Sequence, residues 1–86
     1  MLKVNDIEKV LEDLKENEII SNYRISDCNM WTAIMFLYIR ITYNGIAYGI
    51  RMNVELMLSL NYFKEDLFAE ISKVQRQHLK KILNLK

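Results

Sequence analysis

Four kinds of side chain in this chain could do chemistry: one histidine, one cysteine, a set of carboxylates and a set of arginines beside aromatic residues. His78 is the only histidine, and no second His or paired Cys stands at metal-ligand spacing from it. It falls on an apolar helical stripe, where a packed residue is the simpler reading than a general base. Cys28 sits beside Asp27, in what reads as a polar turn, with no base nearby to make its thiolate. The acids are spread over helix faces that water would solvate, and no Gly-rich run could cradle a phosphate. These absences predict a non-enzymatic chain that needs no metal and no cofactor. What remains is Arg24, Arg40 and Arg51 interleaved with Ile20, Ile34, Phe36 and Tyr38. Arginine with aromatic and aliphatic side chains is the composition of a binding surface rather than of a reaction centre.

Those residues must be held by strands. Met30 to Glu55 reads as two strands joined at Asn44-Gly45, a dipeptide whose members both tolerate the positive φ of a two-residue hairpin turn. The turn predicts the pairs Tyr43–Ile46, Ile41–Tyr48, Ile39–Ile50, Leu37–Met52 and Met35–Val54, apolar on both sides. A weaker alternation over Ile19–Ser26 suggests a preceding strand, with Asp27-Cys28-Asn29 as its turn. Placing Ser26 opposite Met30 sets Ile25 against Trp31, Tyr23 against Ala33 and Ile19 against Leu37.

Helices flank this meander. Val4–Glu18 carries an apolar stripe of Val4, Ile7, Val10, Leu11 and Leu14, with Asn5 and Glu8 at capping-box spacing. Glu55–Phe63 is apolar without a clear period; it reads as a short helical turn or two, capped by Asn53 and interrupted near Asn61. Lys64–Leu85 is then a long helix with the stripe Leu67, Ile71, Val74, His78, Ile82 and Leu85, flanked by Phe68, Leu79 and Leu83. Acids at its start and bases at its end suit the helix dipole. The expected class is α+β: an αβββα two-layer sandwich whose three-stranded antiparallel meander carries both helices on one face. That face would be Trp31, Met35, Leu37, Ile39, Ile41, Ile46, Tyr48, Ile50 and Met52. The other face would expose Ile20, Ile34, Phe36 and Tyr38 as one patch, Ile20 opposite Phe36 and Tyr38 opposite Arg51, rimmed by Arg24, Arg40 and Arg51. A contiguous exposed apolar patch marks an interface. A partner protein is the first reading, a homodimer seam the second, and internal cover by residues 55–63 the third.

The 86 residues are expected to make one domain, residues 1–86. With 51% hydrophobic and 27% charged residues, the composition is that of a folded chain rather than a disordered one. There is no proline and there are 2 glycines, so no linker is expected. Neither a signal peptide nor a membrane span is legible. The single Cys fits a reducing, cytoplasmic setting. The net charge of +1 hides alternating blocks: −3 over residues 1–19, +2 over 20–54, −3 over 55–70 and +5 over 71–86. No single-sign field results, which argues against a nucleic-acid coat or a polyanion mimic.

Two resemblances bear on function. The order αβββα resembles a double-stranded-RNA-binding domain, and would imply a nucleic-acid-binding module. That family places lysines at the start of its last helix, where this chain has Lys64-Glu65-Asp66. The cations here, Lys73, Arg76, Lys80 and Lys81, come later, and they are the residues such a module would use. Stacking of bases on Phe36 and Tyr38 would be another route. The start Val4-Asn5-Asp6-Ile7 and the run Ile39-Arg40-Ile41-Thr42-Tyr43-Asn44-Gly45-Ile46-Ala47-Tyr48-Gly49-Ile50 are similar to small phage-encoded anti-CRISPR inhibitors of Cas9. This resemblance implies a phage or mobile-element inhibitor whose partner is a host protein or a protein–nucleic acid complex. Those inhibitors are strongly acidic, whereas this chain is nearly neutral.

Overall fold

The computed structural model describes residues 2–57 and 59–83. Its elements run α1 (Val4–Glu16), β1 (Asn22–Trp31), β2 (Ile34–Tyr43), β3 (Ile46–Glu55) and α2 (Leu60–Ile82). The strands form one antiparallel sheet in the order β1-β2-β3. This is the αβββα sandwich expected from the pattern. All five pairs expected between β2 and β3 are present. The turn works as its residues require, with φ of 46° at Asn44 and 85° at Gly45.

Met35, Leu37, Ile39 and Ile41 on β2 and Tyr48, Ile50, Met52 and Val54 on β3 are buried against Ile7, Val10, Leu11 and Leu14 of α1 and Phe63, Leu67, Ile71 and Val74 of α2. α1 lies nearest β1 and α2 nearest β3. Tyr23 Oη donates to Glu12 Oε2 at 2.7 Å, tying β1 to α1. The even positions of β2 are left on the opposite, uncovered face. No helix among the described residues is long and apolar enough to cross a membrane.

The first hairpin departs from expectation. β1 is Asn22–Trp31 rather than Ile19–Ser26, and the connection is Thr32-Ala33 rather than Asp27-Cys28-Asn29. Ile25 pairs with Ile39 and Tyr23 with Ile41, not with Trp31 and Ala33. Asp27 and Asn29 suit a turn, but both also suit an exposed strand face. There Asn29 Nδ2 donates to Asp27 Oδ1 at 3.0 Å. Pairing with β2 along its whole length outweighs the local turn preference. The register is kept by a bulge at Ser26, which shifts side-chain parity between Ile25 and Asp27.

That shift carries Trp31 to the outer face, and two further expectations fail beside it. Trp31, expected in the core, is 72% exposed. Ile20, expected on the outer face, is 1% exposed, because it precedes β1 and tucks behind the end of α1. Ile46, at the hairpin tip, is exposed rather than core.

The helix ends also differ. α1 starts from Lys3, not Asn5, and Asp6 Oδ2 accepts from the Lys3 N–H at 3.0 Å. It stops at Glu16 because Glu18 turns left-handed, φ 60°. The Glu18 N–H then donates to Lys15 O and the Ile19 N–H to Leu14 O, the closing pair that glycine usually serves. At the other side, β3 continues to Glu55, so Asn53 caps nothing. α2 begins at Leu60 with Ser59 Oγ accepting from the Tyr62 N–H at 3.4 Å, and it runs through Asn61 without a break. Phe63 becomes fully buried as part of α2. Its buried stripe ends at His78, since Ile82, Leu79 and Leu83 are exposed. Leu85 and Leu58 lie outside the described residues.

Candidate functional site

Pairing fixes which side chains share the outer face, because directly opposed residues lie on one side of a sheet. Five rows cross the three strands: Trp31–Ile34–Glu55, Asn29–Phe36–Asn53, Asp27–Tyr38–Arg51, Arg24–Arg40–Gly49 and Asn22–Thr42–Ala47. Apolar side chains gather toward the Trp31–Ile34 end, and the Arg24–Arg40 pair lies toward the other, next to the polar Asn22–Thr42 row. Trp31 stands opposite Ile34, and Ile34, Phe36 and Tyr38 follow at two-residue spacing along β2. This strip spans roughly 13 Å at the strand rise of about 3.3 Å. Ile34 is 38% and Phe36 44% exposed, so neither helix nor connection covers it. Leu56 is buried, and α2, which starts at Leu60, packs Phe63 into the core on the inner face.

Tyr38 is positioned by two neighbours. Its ring leans across Gly49, where a Cβ would stand 2.6 Å from Tyr38 Oη and 3.1 Å from Cε2 and Cζ. The Arg51 guanidinium lies over the same ring, 4.9 Å from its centroid. Asp27, Phe36, Leu37, Tyr38, Arg51, Met52 and Asn53 line a shallow recess of about 300 Å³ here. A flat aromatic ledge with a recess beside it is where an anchor side chain from a partner would sit.

The electrostatics are unbalanced. Arg24 and Arg40 face each other directly, an unfavourable pairing of like charges. None of Arg24, Arg40 and Arg51 forms a salt bridge among the described residues. Asp27 and Glu55 share the face with the three arginines, so the excess positive charge gathers at the Arg24–Arg40 pair.

Of the outer-face residues expected from sequence, the fold brings Arg24, Ile34, Phe36, Tyr38, Arg40 and Arg51 together and leaves Ile20 out. Trp31, Asp27 and Gly49 were missed. Trp31 and Ile34 are separated by two residues, so a turn at Thr32-Ala33 would have put them on one face. Nothing local marked Gly49, whose role depends on where the Tyr38 ring falls.

The other candidates lie elsewhere. Lys73, Arg76, Lys80 and Lys81 are on α2, across the sheet from the arginines. Lys73 Nζ pairs with Glu70 Oε1 at 3.3 Å, and Lys81 Nζ sits over the Tyr48 ring at 4.7 Å. His78 is buried; its Nδ1 and Tyr48 Oη are joined by a hydrogen bond of 2.9 Å, and its ring stacks on Tyr43 at 5.5 Å. Burial pushes the Tyr43 phenol above its ordinary value, against a smaller pull downward from Gln75. Cys28 is half-buried opposite Leu37, and burial followed by the Asp27 charge pushes its thiol up. No group of three or more His, Cys, Asp or Glu among the described residues could hold a metal ion.

No family model matches this chain. No curated protein and no solved structure matches it either.

Proposed function

We propose that the chain is a small non-enzymatic protein-binding domain that works in the cytoplasm as an inhibitor of a host protein, of the kind phages and mobile elements encode. The observation that carries the binding reading is the exposed strip Trp31–Ile34–Phe36, continued by the half-buried Tyr38, on a sheet face with no cover. Exposing these side chains forgoes stabilisation of about 1.5–3 kcal/mol for each that could have been buried, and a partner recovers it on docking. Arg24, Arg40 and Arg51 then select a partner surface with carboxylates around an apolar centre. The inhibitor reading is supported by the hairpin resemblance, and the cytoplasmic one by the lone thiol of Cys28.

Capture from the native host tests the reading. Wild-type bait should retain a specific protein that a Trp31→Ala/Phe36→Ala bait loses. Retention by that variant, with loss instead on Lys73→Glu/Arg76→Glu, would overturn it. A nucleic-acid-binding module is the second reading, favoured by free arginines beside stacking aromatics. Its mark is an affinity for single strands that falls steeply with added salt.

A further inference from the structure

The two edges of the sheet are not alike. β1 carries the Ser26 bulge, and the Tyr23 N–H is taken by the Asn22 side chain, Oδ1 accepting at 2.9 Å. Both devices blunt an edge. β3 has neither, and pairs without irregularity over its 10 residues.

The Asn44-Gly45 turn sets which backbone groups that edge offers. Tyr43 and Ile46 close the hairpin, so Ile46, Tyr48, Ile50, Met52 and Val54 direct N–H and C=O toward β2. Leu56, next in this series, still donates to Ala33 O at 2.8 Å. Ala47, Gly49, Arg51 and Asn53 direct theirs outward, and none has a further backbone partner among the described residues. Beside this edge runs a groove of about 240 Å³ between Arg51, Met52 and Asn53 on β3 and Asp66, Ala69 and Glu70 on α2. The small Ala69 leaves it open. Asp66 makes no salt bridge among the described residues, and Glu70 meets only Lys73.

We infer that the free edge of β3 is a strand-addition site for an extended segment of a partner protein that points Lys or Arg toward α2. An added strand would lie about 4.8 Å from β3, take up the outward N–H and C=O groups, and turn alternate side chains onto Asp66 and Glu70. Its other side chains would continue the outer face beside Arg51 and Asn53. A second copy of this chain fits less well. Antiparallel pairing of two β3 edges would set two acid-lined helices side by side, bringing Asp66 and Glu70 of one copy toward those of the other. The inference rests on the protein-binding reading but uses the β3 edge, which meets the outer face at Arg51 and Asn53.

The test titrates the full chain with three synthetic peptides matched to β3 in length: alternating Lys and Val, alternating Glu and Val, and the Lys–Val peptide N-methylated at alternate residues. Hydrogen exchange at the amides of Ala47, Gly49, Arg51 and Asn53 is read residue by residue. The Lys–Val peptide should slow all of them about tenfold or more. The Glu–Val peptide should bind at least about tenfold more weakly, and N-methylation should abolish binding. Asn53→Pro removes an outward donor and keeps the β2 ladder, so it should weaken binding about tenfold with an unchanged melting temperature. Failure of the Lys–Val peptide to bind by about 1 mM, or binding without protection of those amides, overturns the inference. If edge binding fails while Trp31→Ala/Phe36→Ala still abolishes host-protein capture, only the edge assignment falls. If the peptide protects the edge while that variant keeps its capture, only the outer-face reading falls.

Discussion

The two hairpins share β2 and are built differently. β2–β3 is regular, closes on Asn44-Gly45 with both residues in their preferred region, and leaves its far edge open. β1–β2 turns on Thr32-Ala33 with Thr32 held at φ 53°, carries a bulge, and has its far edge blunted. The regular hairpin buries Tyr48, Ile50, Met52 and Val54 under α2, whereas Tyr23, Ile25 and Cys28 of β1 are only partly buried. The difference shows a division of labour. β2–β3 supplies the rigid frame, and β1 spends regularity to bring Trp31 and Asp27 onto the outer face.

The largest expected effect compares the partners of Ile39, which pairs with Ile25 on one side and Ile50 on the other. Ile50→Ala, at a buried site, should cost about 3 kcal/mol in urea unfolding, and Ile25→Ala about half of that. Equal costs would remove the distinction between the hairpins. Next come the turns. Replacing Asn44-Gly45 with Val-Val should cost roughly 2 kcal/mol or more, since two β-branched residues would be forced to positive φ. Thr32→Gly should have the opposite sign and stabilise by roughly 1 kcal/mol, measured the same way. Glu18→Gly, at the left-handed end of α1, should gain a similar amount.

The smallest effect is alkaline. The Tyr43 phenol is raised in the folded chain above 10.0, so it contributes stability that is intact below that pH. Above it the unfolded chain releases the phenolic proton first, and stability falls as pH rises toward the folded value. Denaturation midpoints from about pH 8 to about pH 11 should therefore decline, and Tyr43→Phe should flatten the decline. A slope unchanged in Tyr43→Phe would assign it to other groups.

How much of this was legible follows from the same contrast. Asn44-Gly45 states its conformation locally, so the second hairpin, its register and the alternation of β2 could all be read from the chain. Thr32-Ala33 states nothing; only the fold makes it a turn, and a bulge at Ser26 has no residue signature. Setting the turn at Asp27-Cys28-Asn29 instead of Thr32-Ala33 misplaced every β1 pairing, the unread bulge put Trp31 on the wrong face, and Ile20 was counted into a strand that it precedes. α2 was placed four residues late because Leu60–Phe63 lacks a period until Phe63 is known to be core. The outer face was nevertheless legible through Ile34, Phe36, Tyr38, Arg40 and Arg51, since all of them belong to the hairpin whose turn is encoded.

The central claim is that the even face of β2 is a free binding surface and not a covered one. The most direct measurement is urea unfolding of Trp31→Ala/Phe36→Ala set beside its retention of the host protein. The expected result is a stability within about 1 kcal/mol of wild type with binding reduced about thirtyfold or more, as for the loss of anchors worth about 2 kcal/mol or more. A loss of about 3–5 kcal/mol of stability, the cost of a cut core aromatic, with binding by the remaining folded protein unchanged, would contradict it.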